Sequence, residues 1–335
     1  MDQNQNKLIN QATYAFCNLD IVVLIPCYNE EMTIATVIRG FQAAMPDALI
    51  YVYDNNSKDR TLDVARDAGA IVRTEPLQGK GNVVCRMFGD IDADVYLLVD
   101  GDATYAAASA PGLIRHLMMN QLDMVCGARV DNSQGAYRSG HRLGNRLLTD
   151  LVGIIFGHHF NDMLTGYRVF SRRFVKSFPT ISAGFEIETQ LTVHALEMRL
   201  RVAEIPTPYF ERPDGSTSKL HTYKDGLRIL KTIAYLVKEE RPLAFFSIIA
   251  TCLAITASML SWPVITHYME TGLVPRFPTA ILASGMMILA FLSFVSGLIL
   301  DSVAHARREI KRLHFLGIPQ ISPAISLTRP ESLLP

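Results

Sequence analysis

A mainly parallel α/β sheet covered by helices, followed by two C-terminal membrane-spanning helices, is the fold class predicted for this chain. Three features predict it. Between residue 21 and about residue 130, short apolar runs that stop at polar or acidic residues alternate with helical stretches, the pattern of buried parallel strands joined by crossover helices. Residues 243–265 and 277–300 each run without a charged side chain, and roughly 20 such residues suffice to cross the hydrocarbon core of a bilayer. Basic residues flank both runs, Lys238 and Arg241 before the first and Arg307, Arg308, Lys311 and Arg312 after the second. By the positive-inside rule both flanks face the cytoplasm and the loop over 266–276 faces outward.

Each element has its own signal. Residues 21–25 form a continuous apolar run that ends at Pro26; 49–53 stop at Asp54, 70–72 precede a polar loop, 95–99 stop at Asp100, and 124–126 stop at Gly127. Helical patterns fill the gaps over 32–45, 61–68, 82–90 and 111–119. The expected organisation is an N-terminal extension over 1–20, a cytosolic α/β domain over 21–220, a juxtamembrane amphipathic helix over 221–240, a transmembrane hairpin over 241–302 and a cytoplasmic tail over 303–335. Residues 1–11 are polar and lack the apolar stretch of a signal peptide. Both termini are therefore expected in the cytoplasm, with a bacterial or archaeal plasma membrane favoured over an endoplasmic reticulum.

Composition narrows the function. The 335 residues carry 32 basic and 32 acidic side chains, so there is no electrostatic footprint of a nucleic-acid binder. Five cysteines, Cys17, Cys27, Cys85, Cys126 and Cys252, show no Cys-x-x-Cys spacing, which argues against a zinc site or a disulfide framework. No Gly-x-Gly-x-x-Gly follows the first strand and no Gly-Lys-Ser/Thr occurs, so dinucleotide binding of the Rossmann type and P-loop hydrolysis lose their main support.

In open sheets of this kind ligands bind beyond the carboxyl ends of the strands, and the polar clusters fall there. Asp100-Gly101-Asp102 follows the fourth apolar run directly. Two carboxylates one residue apart beyond a buried strand suit a hard divalent cation, which in turn neutralises a diphosphate. By itself such a pair is equally a turn. Its company is more specific: the first run leads into Pro26-Cys27-Tyr28-Asn29-Glu30-Glu31 and the second into Asp54-Asn55-Asn56-Ser57-Lys58-Asp59.

These three segments, in this order and spacing, resemble glycosyltransferase family 2. The resemblance implies a GT-A type fold, in which Pro26, Tyr28, Asn29 and Glu30 flank a nucleotide, Asp54 and Asn56 approach its base or ribose, and Asp100 and Asp102 hold Mg2+ or Mn2+. Asn55 stands where the family pattern has a second aspartate, which leaves the choice between UDP and GDP open. Gly79-Lys80-Gly81-Asn82 opens a helix, and the family's Gly-Lys-Gly loop sits beside the nucleotide, so Lys80 is a candidate phosphate contact.

Farther along, Asp162 to Arg168 resembles the Asp-x-x-Ser-Gly-Phe-Arg segment of the polyprenyl-phosphate branch, which includes the dolichol-phosphate mannose synthases. Arg212, Gly215, Ser216, Ser218 and Lys219 resemble its Arg-x-x-Gly-x-Ser-Lys element. This nominates Asp102, Asp162 and Arg168 for catalysis, and Arg212, Ser218 and Lys219 for an acceptor phosphate.

Two amphipathic stretches too short to span point to the acceptor. In 141–156, Leu143, Leu147, Leu151 and Ile154 share a face; in 224–238, Leu227, Leu230, Ile233, Ala234 and Val237 oppose Lys224, Arg228, Lys231 and Lys238. A basic amphipathic helix abutting a span suits the membrane interface, although packing against the domain is the alternative. On the bilayer, these stretches would bring Arg138, Arg142 and Arg146 to the height of a lipid phosphate. A phosphate monoester, with a second pKa of about 6, is already ionised at neutral pH and needs no general base. A sugar hydroxyl would need one, from Asp162, Glu186 or Glu188.

The expected function is therefore metal-dependent, inverting transfer of a sugar from a UDP- or GDP-sugar to a polyprenyl phosphate at the cytoplasmic membrane face, by an enzyme compatible with a homo-oligomer. Two alternatives stand beside it: a family 2 transferase acting on a sugar hydroxyl, and a non-catalytic nucleotide-binding membrane scaffold. A processive polysaccharide synthase is disfavoured, because the only tryptophan, Trp262, lies inside the first span and no Gln-x-x-Arg-Trp occurs.

Overall fold

The computed structural model describes residues 19–131, 160–179, 187–213 and 222–320, together with Thr149, Gly153 and Gly157. The proposed interface stretch over 141–156 and the residues Arg138, Arg142, Arg146, Glu186, Gly215, Ser216, Ser218 and Lys219 lie outside the described residues, apart from Thr149 and Gly153.

The first five strands and their helices follow the predicted alternation: β1 (Ile21–Cys27), α1 (Ile34–Ala44), β2 (Leu49–Asp54), α2 (Thr61–Asp67), β3 (Ile71–Thr74), α3 (Lys80–Asp90), β4 (Val95–Leu98), α4 (Ala110–Met119) and β5 (Met124–Asp131). Beyond these lie β6 (Arg168–Ser171), α5 (Arg172–Ser177), α6 (Ile187–Glu197) and β7 (Val202–Tyr209). The seven strands form one sheet in the order β3-β2-β1-β4-β6-β5-β7. Only β6 runs antiparallel to its neighbours, so β1, β2, β4, β5 and β7 all end at the same edge.

The strands read as unbroken apolar runs because both faces are covered. Val23 and Ile25 of β1 belong to a core cluster with Ile34, Ile38 and Phe41 of α1 and Leu113, Ile114 and Leu117 of α4. Val22 and Leu24 face the other way, into a cluster with Val83, Val84 and Met87 of α3, Phe174 of α5 and Leu191 of α6. A one-residue slip of β1 would exchange these two sets.

After α7 (Thr222–Glu240), α8 (Pro242–Thr271) and α9 (Phe277–Leu316) form an antiparallel hairpin. Both helices are long and apolar enough to cross a membrane, with mean hydropathy of 2.2 and 2.1 over their most apolar windows. Their mutual seam is built from small residues spaced by sevens: Ala250, Ala257 and Val264 on one helix, Ala283, Ala290, Gly297 and Ala304 on the other. Such a repeat brings helix backbones together by van der Waals contact where apolar surroundings supply no hydrophobic drive. A Cβ on Gly297 would lie 3.0 Å from the Cβ of Phe246.

Two differences from the sequence reading concern the end of the hairpin next to the sheet. Helix α9 does not stop where its apolar run stops at Leu300; it continues for 16 more residues, and its Phe315 enters the α3–α5–α6 core cluster. In α7, Ile233 packs with Met163 and Val193, flanked by Leu236 and Val237, while Leu230 remains exposed. The apolar sector of this helix is thus divided, with Ile233 and Val237 packed against the protein.

Candidate active site

At the common edge of the sheet, three loops are laced together by hydrogen bonds. The turn after β1 is held to the turn after β2: the Asn29 amide donates to Ser57 Oγ at 2.8 Å, the Glu30 amide to Thr61 Oγ1 at 2.8 Å, and the Lys58 amide to Asn29 Oδ1 at 2.8 Å. Asn29 takes a positive φ of 51°, a conformation asparagine tolerates better than most residues. Tyr28 and Glu30 sit on this turn and Pro26 in the last residues of β1 before it, Glu30 buried and the other two partly exposed.

Asp54, at the end of β2, is buried; its Oδ2 accepts from the Ser57 amide at 3.0 Å, while Oδ1 has no hydrogen-bond partner. An unsatisfied buried carboxylate oxygen is costly unless something supplies a donor, so Asp54 is ready to receive an N–H or O–H from a ligand.

Asn55 and Asn56 turn to another task. Asn55 is buried and donates to the carbonyls of Glu75 at 2.9 Å and Leu77 at 2.7 Å, while its Oδ1 accepts from the Gly79 amide at 2.6 Å. Asn56, expected beside the nucleotide, donates to the Pro76 carbonyl at 2.8 Å. Together they clamp the 75–79 loop and so position Gly79, whose φ of 131° requires glycine, at the head of α3. An amide suits position 55 because it donates and accepts at once; a carboxylate cannot donate.

The clamp delivers Lys80, the first residue of α3. Its Nζ lies 2.5 Å from Asp100 Oδ1 and 2.5 Å from Glu188 Oε1 in the first turn of α6. Burial alone would push this ammonium's pKa down, but the two carboxylates outweigh it and raise it above the usual lysine range. Asp102 is buried, and its Oδ1 accepts from Thr104 Oγ1 at 2.6 Å while its Oδ2 meets Arg212 at 2.5 Å. Its carboxyl is pushed up, first by burial and then by the charge of Asp100, against the opposing pull of Arg212 and Thr104.

Glycines make this packing possible. A Cβ on Gly101 would stand 2.7 Å from Cys27 Sγ, and one on Gly166 would run into the Asp100 carboxylate. The Gly166 amide is itself held by Tyr105 Oη at 2.9 Å, and Thr33 Oγ1 donates to the Gly101 carbonyl at 2.7 Å.

Asp162 and Arg168, both nominated for catalysis, occupy different surroundings. Asp162 is paired bidentately with Arg129 of β5, at 2.6 Å and 2.7 Å, and its amide donates to Glu204 of β7 at 3.0 Å. Arg168 is fully buried. Its guanidinium donates to the Thr165 carbonyl at 3.0 Å, to the Met163 carbonyl, and to Thr192 Oγ1 at 3.0 Å. Thr192 in turn donates to the Glu188 carbonyl at 2.9 Å. Arg168 therefore fastens the Asp162–Gly166 loop to α6, the helix that carries Glu188.

Among the predicted residues the fold brings together Asp54, Lys80, Asp100, Asp102 and Arg212, with the end of β1 from Pro26 and the turn through Glu30 beside them. Glu188 was foreseen only as a base or a dipole partner, and Arg129 was not foreseen; its signal would have been the Asp162 carboxylate in need of a cation. No group of three or more histidine, cysteine or acidic side chains forms a ready metal cage among the described residues.

The glycosyl transferase family 2 model matches residues 22–178. The chain is 36% identical over 228 residues to glycosyltransferase AglJ of Haloferax volcanii, covering 68% of this chain and 75% of that protein. It is 29% identical over 223 residues to a dolichyl-phosphate hexose transferase of the same organism, covering 66% and 96%. Its fold matches glucosyl-3-phosphoglycerate synthase of Mycobacterium tuberculosis, solved with Mn2+, UDP and glucosyl-3-phosphoglycerate, with a TM-score of 0.55 and 22% identity over 66% of this chain and 80% of that one. With acidic residues at the ends of β2 and β4 of a GT-A sheet, and with these relatives, the chain is a glycosyltransferase and belongs to glycosyltransferase family 2.

Proposed function

We propose that the enzyme transfers a sugar from a nucleotide-sugar to a polyprenyl phosphate at the cytoplasmic face of a membrane, with inversion at the anomeric carbon. The observation that carries the reading is the pairing of Asp100 with Lys80 and of Asp102 with Arg212: two carboxylates and two cations are poised where a diphosphate and its counter-ion would exchange partners. The donor set fits a divalent cation such as Mg2+ or Mn2+, since hard ions take carboxylate and phosphate oxygens together. Asp100 and Asp102 would hold it, and it would supply charge neutralisation of the departing diphosphate. Lys80 and Arg212, released from their carboxylates, would bind phosphate oxygens. Asp54 would take a donor from the nucleoside through its unpartnered Oδ1.

The two candidate bases among the described residues, Asp162 and Glu188, support a phosphate acceptor over a hydroxyl. Asp162 is tied to Arg129 and Glu188 to Lys80, so neither stands as a free base, and an ionised phosphate needs none. In this reading Arg129 and Asp162 form the wall past which the acceptor arrives, and Arg138, Arg142, Arg146, Ser218 and Lys219 complete its phosphate site. The hairpin α8–α9 anchors the domain with its basic flanks on the cytoplasmic side.

The test is mass spectrometry of lipids formed when a panel of UDP- and GDP-sugars is supplied with polyprenyl phosphate. A glycosyl phosphoryl lipid whose formation needs a divalent cation is expected. Asp102→Asn should lower its rate at least about 100-fold. Transfer to a sugar hydroxyl with polyprenyl phosphate ignored would overturn the acceptor, and undiminished turnover in Asp102→Asn would overturn the metal assignment.

A further inference from the structure

The opposite edge of the sheet holds a cavity of about 760 Å³. It opens where the end of α6, the start of β7 and the cytoplasmic mouth of the hairpin meet, and Arg199, Arg201, Arg241 and Arg308 line it together with Glu197 and Glu240. The two acids are answered from within: Lys311 Nζ lies 2.9 Å from Glu197 and 3.5 Å from Glu240, and Arg307 lies 3.3 Å from Glu240. Arg308 stands 4.0 Å from Glu197. Arg199, Arg201 and Arg241 are exposed and enter no ion pair among the described residues. The cavity therefore carries surplus positive charge in guanidinium form, the group that fits phosphate oxygens in pairs. Leu196, Leu200 and Val202 add an apolar wall.

Its position selects the source of the anion. Arg241 immediately precedes α8, and Arg308 lies eight residues, about 12 Å, beyond the end of the α9 apolar run at Leu300. With the hairpin across a bilayer, the cavity borders the head-group layer of the cytoplasmic leaflet, which attracts basic residues. The donor site proposed above lies at the other sheet edge, where β1, β2 and β4 end.

We propose that this cavity binds the phosphate of an anionic phospholipid, as a docking point separate from the transfer site. The inference rests on the hairpin spanning the membrane and is independent of which sugar or acceptor is used. The full-length protein is placed in nanodiscs of phosphatidylglycerol or of phosphatidylcholine, and lipid retention by native mass spectrometry is compared with the variant Arg199→Gln/Arg201→Gln/Arg241→Gln. Retention of phosphatidylglycerol at least about tenfold above phosphatidylcholine is expected, falling to parity in the variant. In a second arm, inorganic phosphate is added to the phosphatidylcholine nanodiscs. A rise in melting temperature there, lost in the variant and with no preference for phosphatidylglycerol, would keep a phosphate site but overturn its assignment to lipid. Equal retention of both lipids with no phosphate response, or an unchanged preference in the variant, would overturn the site altogether. UDP and GDP binding, measured in the same samples, reports on the donor site alone, so its failure is distinguishable.

Discussion

Asn55 gives the sharpest test of how the donor edge is held. Restoring the family's aspartate at this position would be read from motif alone as neutral or favourable. The structure predicts the reverse. The Asn55 side chain is 3% exposed and donates to two carbonyls, of Glu75 and Leu77, while accepting from the Gly79 amide. In Asn55→Asp both donations vanish and a carboxylate oxygen faces two carbonyl oxygens at under 3 Å. Each buried carbonyl stripped of its donor costs about 1–3 kcal/mol. Even with relaxation of the loop, a loss of about 3 kcal/mol follows, which lowers the melting temperature of a domain of this size by about 6–12 °C. The 75–79 loop would move, and Lys80 with it, so donor affinity should fall as well. Differential scanning fluorimetry of the detergent-solubilised protein and calorimetric titration with UDP and GDP measure both effects. An Asn55→Asp protein that melts within about 1 °C of the parent and binds the donor equally well would refute the clamp.

Three further outcomes are expected. Lys80→Ala leaves Asp100 and Glu188 facing each other without a shared cation and should lower kcat/KM by about 10²–10³, a loss larger than any change in melting temperature would account for. Gly166→Ala places a Cβ against the Asp100 carboxylate, whose Cγ would stand 2.9 Å away; transfer should drop at least about tenfold while the fold survives, and normal activity would show that Asp100 can move freely. Glu240 is held up to about 7, first by burial and then by its hydrogen bond with Glu197. Because the folded pKa exceeds the unfolded value of 4.5, the folded state binds this proton more tightly, so the stabilisation is complete below that value and is lost as pH rises toward 7. Glu197 shifts downward and does not titrate in that window. The melting temperature should therefore fall between about pH 5 and pH 7.5 and do so less in Glu240→Gln, and parallel pH profiles would contradict the raised Glu240 carboxyl.

How much of this was legible in the sequence depends on burial and on distance along the chain. Strands β1, β2, β4 and β5 announce themselves because a strand covered on both faces must be apolar throughout. Strand β6 hides because one of its four residues is Arg168, whose charge is satisfied by the carbonyls of the loop just before it and by Thr192, 24 residues away on α6. Strand β7 contains Pro206 and Pro208, which a central strand would not tolerate but which the sheet edge accepts. The same logic explains the site. Local order placed Asp54, Lys80, Asp100 and Asp102, since each follows a strand or opens a helix. Pairings across long separations, such as Arg129 with Asp162 and Lys80 with Glu188, leave no periodic trace. Arg168 illustrates the converse: a motif marked it, yet its guanidinium holds a loop to a helix.

Helix α9 passes without interruption from the apolar hairpin to Phe315 inside the soluble core, so the enzyme stands on a rigid mast rather than a slack tether. At about 1.5 Å and 100° per residue, a single inserted residue between Leu300 and Phe315 would lift and swivel the whole domain relative to the hairpin. The height and rotation of the site-bearing sheet relative to the apolar hairpin are thus written into the length of one helix.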